Sequence, residues 1–113
     1  MAMTDGQDLH ADLAQDLQKF WGDYTGTRPS RVRVVADEQT IAVCLEQVLT
    51  PAEREMTSTQ TGREMLEKLE EHILELAKPY LQELVGSAVG QAVSAEAHFD
   101  VASGNVLGFF QPA

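Results

Sequence analysis

The sequence predicts an α+β fold, a two-layer sandwich in which helices cover one face of a mainly antiparallel sheet. Three observations carry this. Apolar residues recur at helical spacing from Leu9 to Tyr24 and again from Met65 to Leu84. Period-two alternation marks "RVRVVA" and "TIAVCLEQVL" and returns near the C-terminus in "VSAEAHFD". The resulting order is helix, two strands, short helix, long helix, two strands, which suits two packed layers around one core.

The first helix is read over residues 8 to 24. Leu9, Leu13, Leu17, Phe20, Trp21 and Tyr24 form its apolar stripe, with Asp8, Asp12, Gln15, Asp16 and Lys19 between them. Thr4 or Asp5 is the expected cap, and residues 1–7 are expected to be a flexible tail. Two glycines and a proline in "GDYTGTRP" stop the helix. In the strands that follow, Val32 and Val34 alternate with Arg31 and Arg33, while Ile41, Val43 and Leu45 share a face. The short polar connector Asp37-Glu38-Gln39 makes them an antiparallel hairpin.

The stretch "VLTPAEREMTSTQTGREMLEKLEE" starts a helix twice. Thr50-x-x-Glu53 is a capping box with Pro51 at the first helical position, where a missing N–H costs nothing. "TSTQTG" then interrupts with poor helix formers, and Thr61-x-x-Glu64 reads as a second cap. The short helix is a corner that turns the chain off the sheet; the long one crosses it. Met65, Leu66, Leu69, Ile73, Leu76, Tyr80 and Leu84 form one apolar face ending at Gly86, with Pro79 expected to kink the helix rather than break it. Val93, Ala95, Ala97 and Phe99 then face one way along a strand and Ser94, Glu96, His98 and Asp100 the other. "DVASGN" is a turn and "VLGFF" a short last strand. The element order is also compatible with a KH-like topology.

With 113 residues, one domain over 1–113 is expected, large enough to bury roughly 60–70% of its unfolded surface without staples. The lone Cys44 lies in an apolar strand and reads as a reduced thiol of a cytoplasmic protein. The first residues have neither the basic nor the apolar region of a secretory signal, and no apolar run approaches the roughly 18 residues of a membrane span. Eighteen acidic residues oppose eight basic ones, a net charge of −10. That balance argues against nucleic acid and anionic lipid, which both draw on cationic protein surfaces. RNA binding of the KH kind also needs a GxxG loop between helices, which "TSTQTG" is not.

Candidate chemistry is sparse. Arg28, Arg31 and Arg33 are a candidate anion site, against which stands pairing with Glu46 or Glu96 on an ordinary exposed strand. His98 and Asp100, with Glu96, share a strand face as a weak metal candidate; no further Cys or His clusters beside them. His72 lacks the glutamate three residues earlier that a metal box needs, since Leu69 is there. No nucleophile elbow or phosphate loop occurs, so no catalytic residue is assigned and no cofactor is expected.

Leu49-Thr50-Pro51-Ala52-Glu53, Gly62-Arg63-Glu64 and Lys78-Pro79, in this order and spacing, resemble the MpsC-type domain family of small bacterial proteins. The resemblance spans roughly residues 8 to 110, and the Leu-Thr-Pro-Ala-Glu segment is its most specific part. The chain departs from the family pattern in "GTRPS", which lacks a glycine directly before Pro29, and at Gln47, where the family usually has glycine. The resemblance implies a small component of a cation-translocating, membrane-potential-generating system linked to inorganic carbon uptake, with no catalytic residues to transfer.

The expected function is therefore a non-enzymatic accessory or interaction domain, cytoplasmic, reaching the membrane through a membrane-protein partner. A homodimer is expected through the sheet's second face, where Ala42, Cys44 and Val48 are too apolar for open solvent. One alternative is a regulatory module holding bicarbonate or a carboxylate at Arg28, Arg31 and Arg33. A further alternative is a metal-dependent enzyme using His98 and Asp100.

Overall fold

The computed structural model describes residues 2–113, with side chains from residue 10 onward. Thr4 and Asp5, expected to cap the first helix, instead fall inside a helix that begins at Ala2, which also takes in residues 2–7 of the expected tail; Met1 and the side chain of Leu9 lie outside what is described. Helix α1 runs Ala2–Thr25, followed by β1 (Arg31–Ala36), β2 (Ile41–Glu46), α2 (Pro51–Met56), α3 (Gln60–Val89), β3 (Val93–Asp100) and β4 (Asn105–Pro112). The α+β architecture and the element order are those the sequence predicts.

The four strands form one sheet in the order β1-β2-β4-β3, antiparallel throughout. Alternation decides which side chains go inward. Val43, Leu45, Val93, Ala95, Val106 and Phe110 face the helices and are buried, with Val32, Val34, Ala97 and Phe99 packed beside them. From the helices come Leu13, Leu17 and Trp21 of α1 and Leu66, Leu74, Ala77, Leu81 and Val85 of α3. Each large apolar side chain buried here contributes about 1.5–3 kcal/mol.

Local chemistry sets the corners. Asp37 Oδ1 accepts from the Gln39 and Thr40 N–H groups, both at 2.8 Å, closing the β1–β2 hairpin. These two bonds hold the Asp37 carboxyl below its ordinary value. Gln18 Nε2 donates to the Pro29 carbonyl at 2.8 Å and pins the loop before β1 onto α1. The capping box forms as predicted: Glu53 N–H donates to Thr50 Oγ1 and Thr50 N–H to Glu53 Oε1.

The second helix start differs from expectation. Thr59, not Thr61, caps α3, accepting from the Gly62 N–H at 2.9 Å. The corner is so tight that a Cβ on Gly62 would lie 2.0 Å from the Met56 carbonyl oxygen. Gly62 is thus demanded by close backbone approach inside the first turn of α3. The helix continues unbroken through Pro79 and past Gly86, stopping where Gly90 adopts a left-handed φ of 77°.

The apolar face of α3 is not the stripe first expected. Leu66, Glu70, Leu74, Ala77, Leu81 and Val85 are buried, Ile73 and Leu84 half-buried, and Met65, Leu69, Leu76 and Tyr80 exposed. At 100° per residue the apolar arc covers roughly 200° of the helix, more than one packing partner can cover. Length adds to this. Thirty residues extend about 45 Å, whereas an eight-residue strand extends about 26 Å, so the sheet cannot cover α3 along its whole length.

Candidate functional site

Two surfaces carry side chains that the core does not account for. The first is the outer face of the sheet. Strand register places Arg33, Cys44, Leu107 and His98 in one row across it, and Val35, Ala42, Phe109 and Glu96 in the next. Both rows are apolar in the middle strands. Leu107 is 39% exposed, Phe109 40% and Val35 69%, while Ala42 and Cys44 are half-buried. The β1 side of this patch carries Arg31 and Arg33, and the β3 side carries Glu96, His98 and Asp100. Opposite charges thus flank an apolar centre.

Two of the three expected interface residues, Ala42 and Cys44, lie on this face. Val48 does not: it is 3% exposed, within the core, and its N–H donates to the Gly104 carbonyl at 3.0 Å. The reason is Gln47, whose φ of 57° is left-handed and ends the strand's alternation. Counting by twos from Ala42 reaches Val48, but the chain has turned inward by then. Gln47 N–H donates to Asn105 Oδ1 at 3.0 Å, which holds the turn. Sequence reading missed Leu107 and Phe109, although their alternation with Val106, Gly108 and Phe110 marks them.

The candidate anion residues are divided. Glu46 Oε2 approaches Arg33 Nε to 2.9 Å and Arg31 Nε to 4.0 Å. The shorter contact lacks hydrogen-bond alignment, so it is an ion pair in the coulombic sense. Arg28 sits exposed in the loop before β1, where its charge helps, after Lys19, to lower the Asp23 carboxyl. The metal candidates His98 and Asp100 share the outer face of β3. Asp100 is engaged by Ser103, whose hydroxyl donates at 2.6 Å and keeps the carboxyl below its usual range. Among the described residues, no group of three or more His, Cys, Asp or Glu is arranged to hold a metal ion. His98 instead borders, with Lys68, His72 and Lys78, an open cleft of about 460 Å³ at the β3 edge.

The second surface lies on the helical side. A cleft of about 410 Å³ opens between the end of α1, the start of α2 and the middle of α3, bordered by Trp21, Tyr24, Glu53, Glu70, Ile73 and Leu76 among others. Glu70 is 4% exposed. Burial first, and then the charge of Glu53 and a hydrogen bond between the two, push its carboxyl up to about 7. Trp21, 1% exposed, has an indole N–H with no acceptor. Beside the cleft, Phe20, Tyr24 and Tyr80 form an aromatic cluster with centroids 5.3–6.2 Å apart, joining α1 to α3. None of this was read from the sequence. The available signal was Glu70 itself, four residues from both Leu66 and Leu74 on the buried stripe.

Compared with known families, the chain matches over residues 5–104 the one described as "Na+-translocating membrane potential-generating system (MpsC)". The chain belongs to the MpsC family. The match runs from within α1 through the β3–β4 turn and ends at the residue before β4, a strand that lies between β2 and β3 in the sheet. It thus ends earlier than the resemblance to residue 110. Gln47, where the resemblance led to an expectation of glycine, is left-handed, a conformation that glycine adopts without strain. No curated protein and no solved structure matches the chain. Among the described residues, no helix of this MpsC protein is long and apolar enough to cross a membrane.

Proposed function

We propose that this chain is a non-enzymatic accessory subunit of a Na+-translocating, membrane-potential-generating system, acting on the cytoplasmic side as a homodimer. The family supports the system, and the outer sheet face supports the mode of assembly. That face carries the proposal: an apolar centre of Ala42, Cys44, Leu107 and Phe109 lies between a basic β1 side and an acidic β3 side. Such a surface complements itself. Two sheets stack about 10 Å apart face to face. A two-fold axis running between them along the strands brings β1 of each copy over β3 of the other. Arg31 then faces Asp100 of the second copy, and Arg33 lies between Glu96 and Asp100 of that copy. Exposed ion pairs contribute only about 0–1 kcal/mol each, so the apolar centre supplies affinity and the charges set orientation.

In this reading the translocating machinery belongs to membrane subunits, and the present chain reaches the bilayer by binding them. The test is capture of the tagged chain from its native cell after crosslinking and solubilisation of membranes. Recovery of the system's membrane subunits, crosslinked to this chain, is the expected result. Recovery of the chain with no membrane protein contradicts the proposal.

A further inference from the structure

The helical side of the molecule has features that a dimer built through the sheet leaves unused. Met65 (59% exposed), Leu69, Leu76 and Tyr80 follow one another along α3 at spacings of four, seven and four residues, so they form one strip. The strip continues through half-buried Ile73 to the cleft, whose mouth Leu76 and Tyr24 share. Inside are two carboxyls, Glu53 and Glu70, and in the wall is Trp21, whose indole N–H lacks an acceptor. An apolar strip alone would be equally suited to any apolar cover. A strip that ends at a half-buried and a buried carboxyl, Glu53 and Glu70, selects its cover by charge.

We propose that this strip and cleft form the docking site for a basic amphipathic segment of a protein partner. The segment lays apolar side chains along Met65, Leu69, Leu76 and Tyr80 and sends one lysine or arginine into the cleft between Glu53 and Glu70. The inference rests on the reading of the chain as an interaction subunit and names the chemistry of its partner. A second copy of the chain is a poor occupant, because a two-fold contact there would set Glu53 and Glu70 against the same carboxyls. A bare metal ion is a poor occupant as well, for the described residues hold no cluster of three ligating side chains. A cation on a long flexible stem fits instead: its methylenes pass Leu76 and Tyr24 while its head meets the carboxyls.

The test uses a displayed library of random peptides selected against the wild-type chain and against Glu53→Gln/Glu70→Gln. Glutamine preserves shape and can still accept the Thr50 N–H that Glu53 accepts now. The wild-type chain is expected to enrich peptides that place one Lys or Arg among apolar residues at helical spacing. Their binding is expected to change the fluorescence of Trp21, the chain's one tryptophan. Affinity should fall roughly tenfold or more on the double variant, as for loss of one buried charge contact, and similarly on Leu76→Lys. Enrichment of peptides without a basic residue, equal binding to the double variant, or no enrichment at all overturns the proposal. Running the same peptides on Phe109→Asp separates the two faces. Unchanged affinity there locates binding on the helical side, whether or not the sheet-face dimer exists, and lost affinity overturns the assignment.

Discussion

Replacing Glu70 by glutamine should stabilise this protein, and only above mildly acidic pH. The Glu70 carboxyl titrates at about 7 in the folded chain against 4.5 ordinarily, because burial and then Glu53 oppose its charge. The folded state therefore holds the proton more tightly than the unfolded state does. Below about pH 4.5 the group is neutral in both states and contributes no difference. As pH rises from about 4.5 to 7 the unfolded chain ionises first, so stability falls, and above about 7 the loss is complete. At 1.36 kcal/mol per pH unit the interval corresponds to about 3 kcal/mol as an upper bound. The cleft admits water and relaxes the penalty, so about 1–3 kcal/mol is expected. Asp23, Asp37 and Asp100 do not confuse the window. Their carboxyls are lowered, so their contribution is present above 3.8 and is lost only as pH falls further. Urea unfolding of wild type and Glu70→Gln between pH 5 and pH 8 measures the effect directly. The two curves should diverge with rising pH, the variant gaining, and run parallel above about 7. Parallel curves over the whole range, or a variant less stable at pH 8, would refute the reasoning.

The remaining predictions concern corners and caps. Gly62→Ala should lower stability by about 2–3 kcal/mol, since its Cβ meets the Met56 carbonyl and a backbone must move; a thermal melt within a degree of wild type would contradict this. Gln47→Gly should leave stability unchanged or raise it by up to about 1 kcal/mol, while Gln47→Val should lower it by about 1–2 kcal/mol, because a β-branched residue fits a φ of 57° poorly. The opposite order in denaturant midpoints would show that strain there is absent. Thr50→Ala removes the side-chain half of the α2 capping box and should cost about 1 kcal/mol by the same assay.

The elements were legible in the sequence because their signals are local. Val32 and Val34 alternate, Thr50 and Glu53 cap, and Ala95 and Ala97 share a face whatever packs on them. The start of α3 was less legible, since Thr59 and Thr61 offer the same hydroxyl and only the approach of Gly62 to Met56 decides between them. The buried stripe of α3 was misjudged for a tertiary reason. The helix is apolar over more of its circumference than it buries, and the packing of α1 and the sheet selects Leu66, Leu74 and Leu81 over Leu69, Leu76 and Tyr80. Glu70 was passed over because a glutamate in a helix rich in glutamates gives no sign of burial. Val48 was placed on the wrong face by one left-handed residue, which no periodicity encodes. Of the candidate interface, Ala42 and Cys44 were found, whereas Leu107 and Phe109 become their neighbours only once β4 is known to lie beside β2.

In the proposed dimer the outer sheet face joins two copies of the chain with β1 over β3. Sedimentation equilibrium of wild type, Phe109→Asp, Arg31→Glu and the double variant Arg31→Glu/Asp100→Arg tests it most directly. Wild type should sediment at twice 12.4 kDa and Phe109→Asp at the monomer mass, with association weakened in Arg31→Glu and restored by the charge exchange. A monomeric wild type, or a Phe109→Asp chain that still sediments as a dimer, would contradict it.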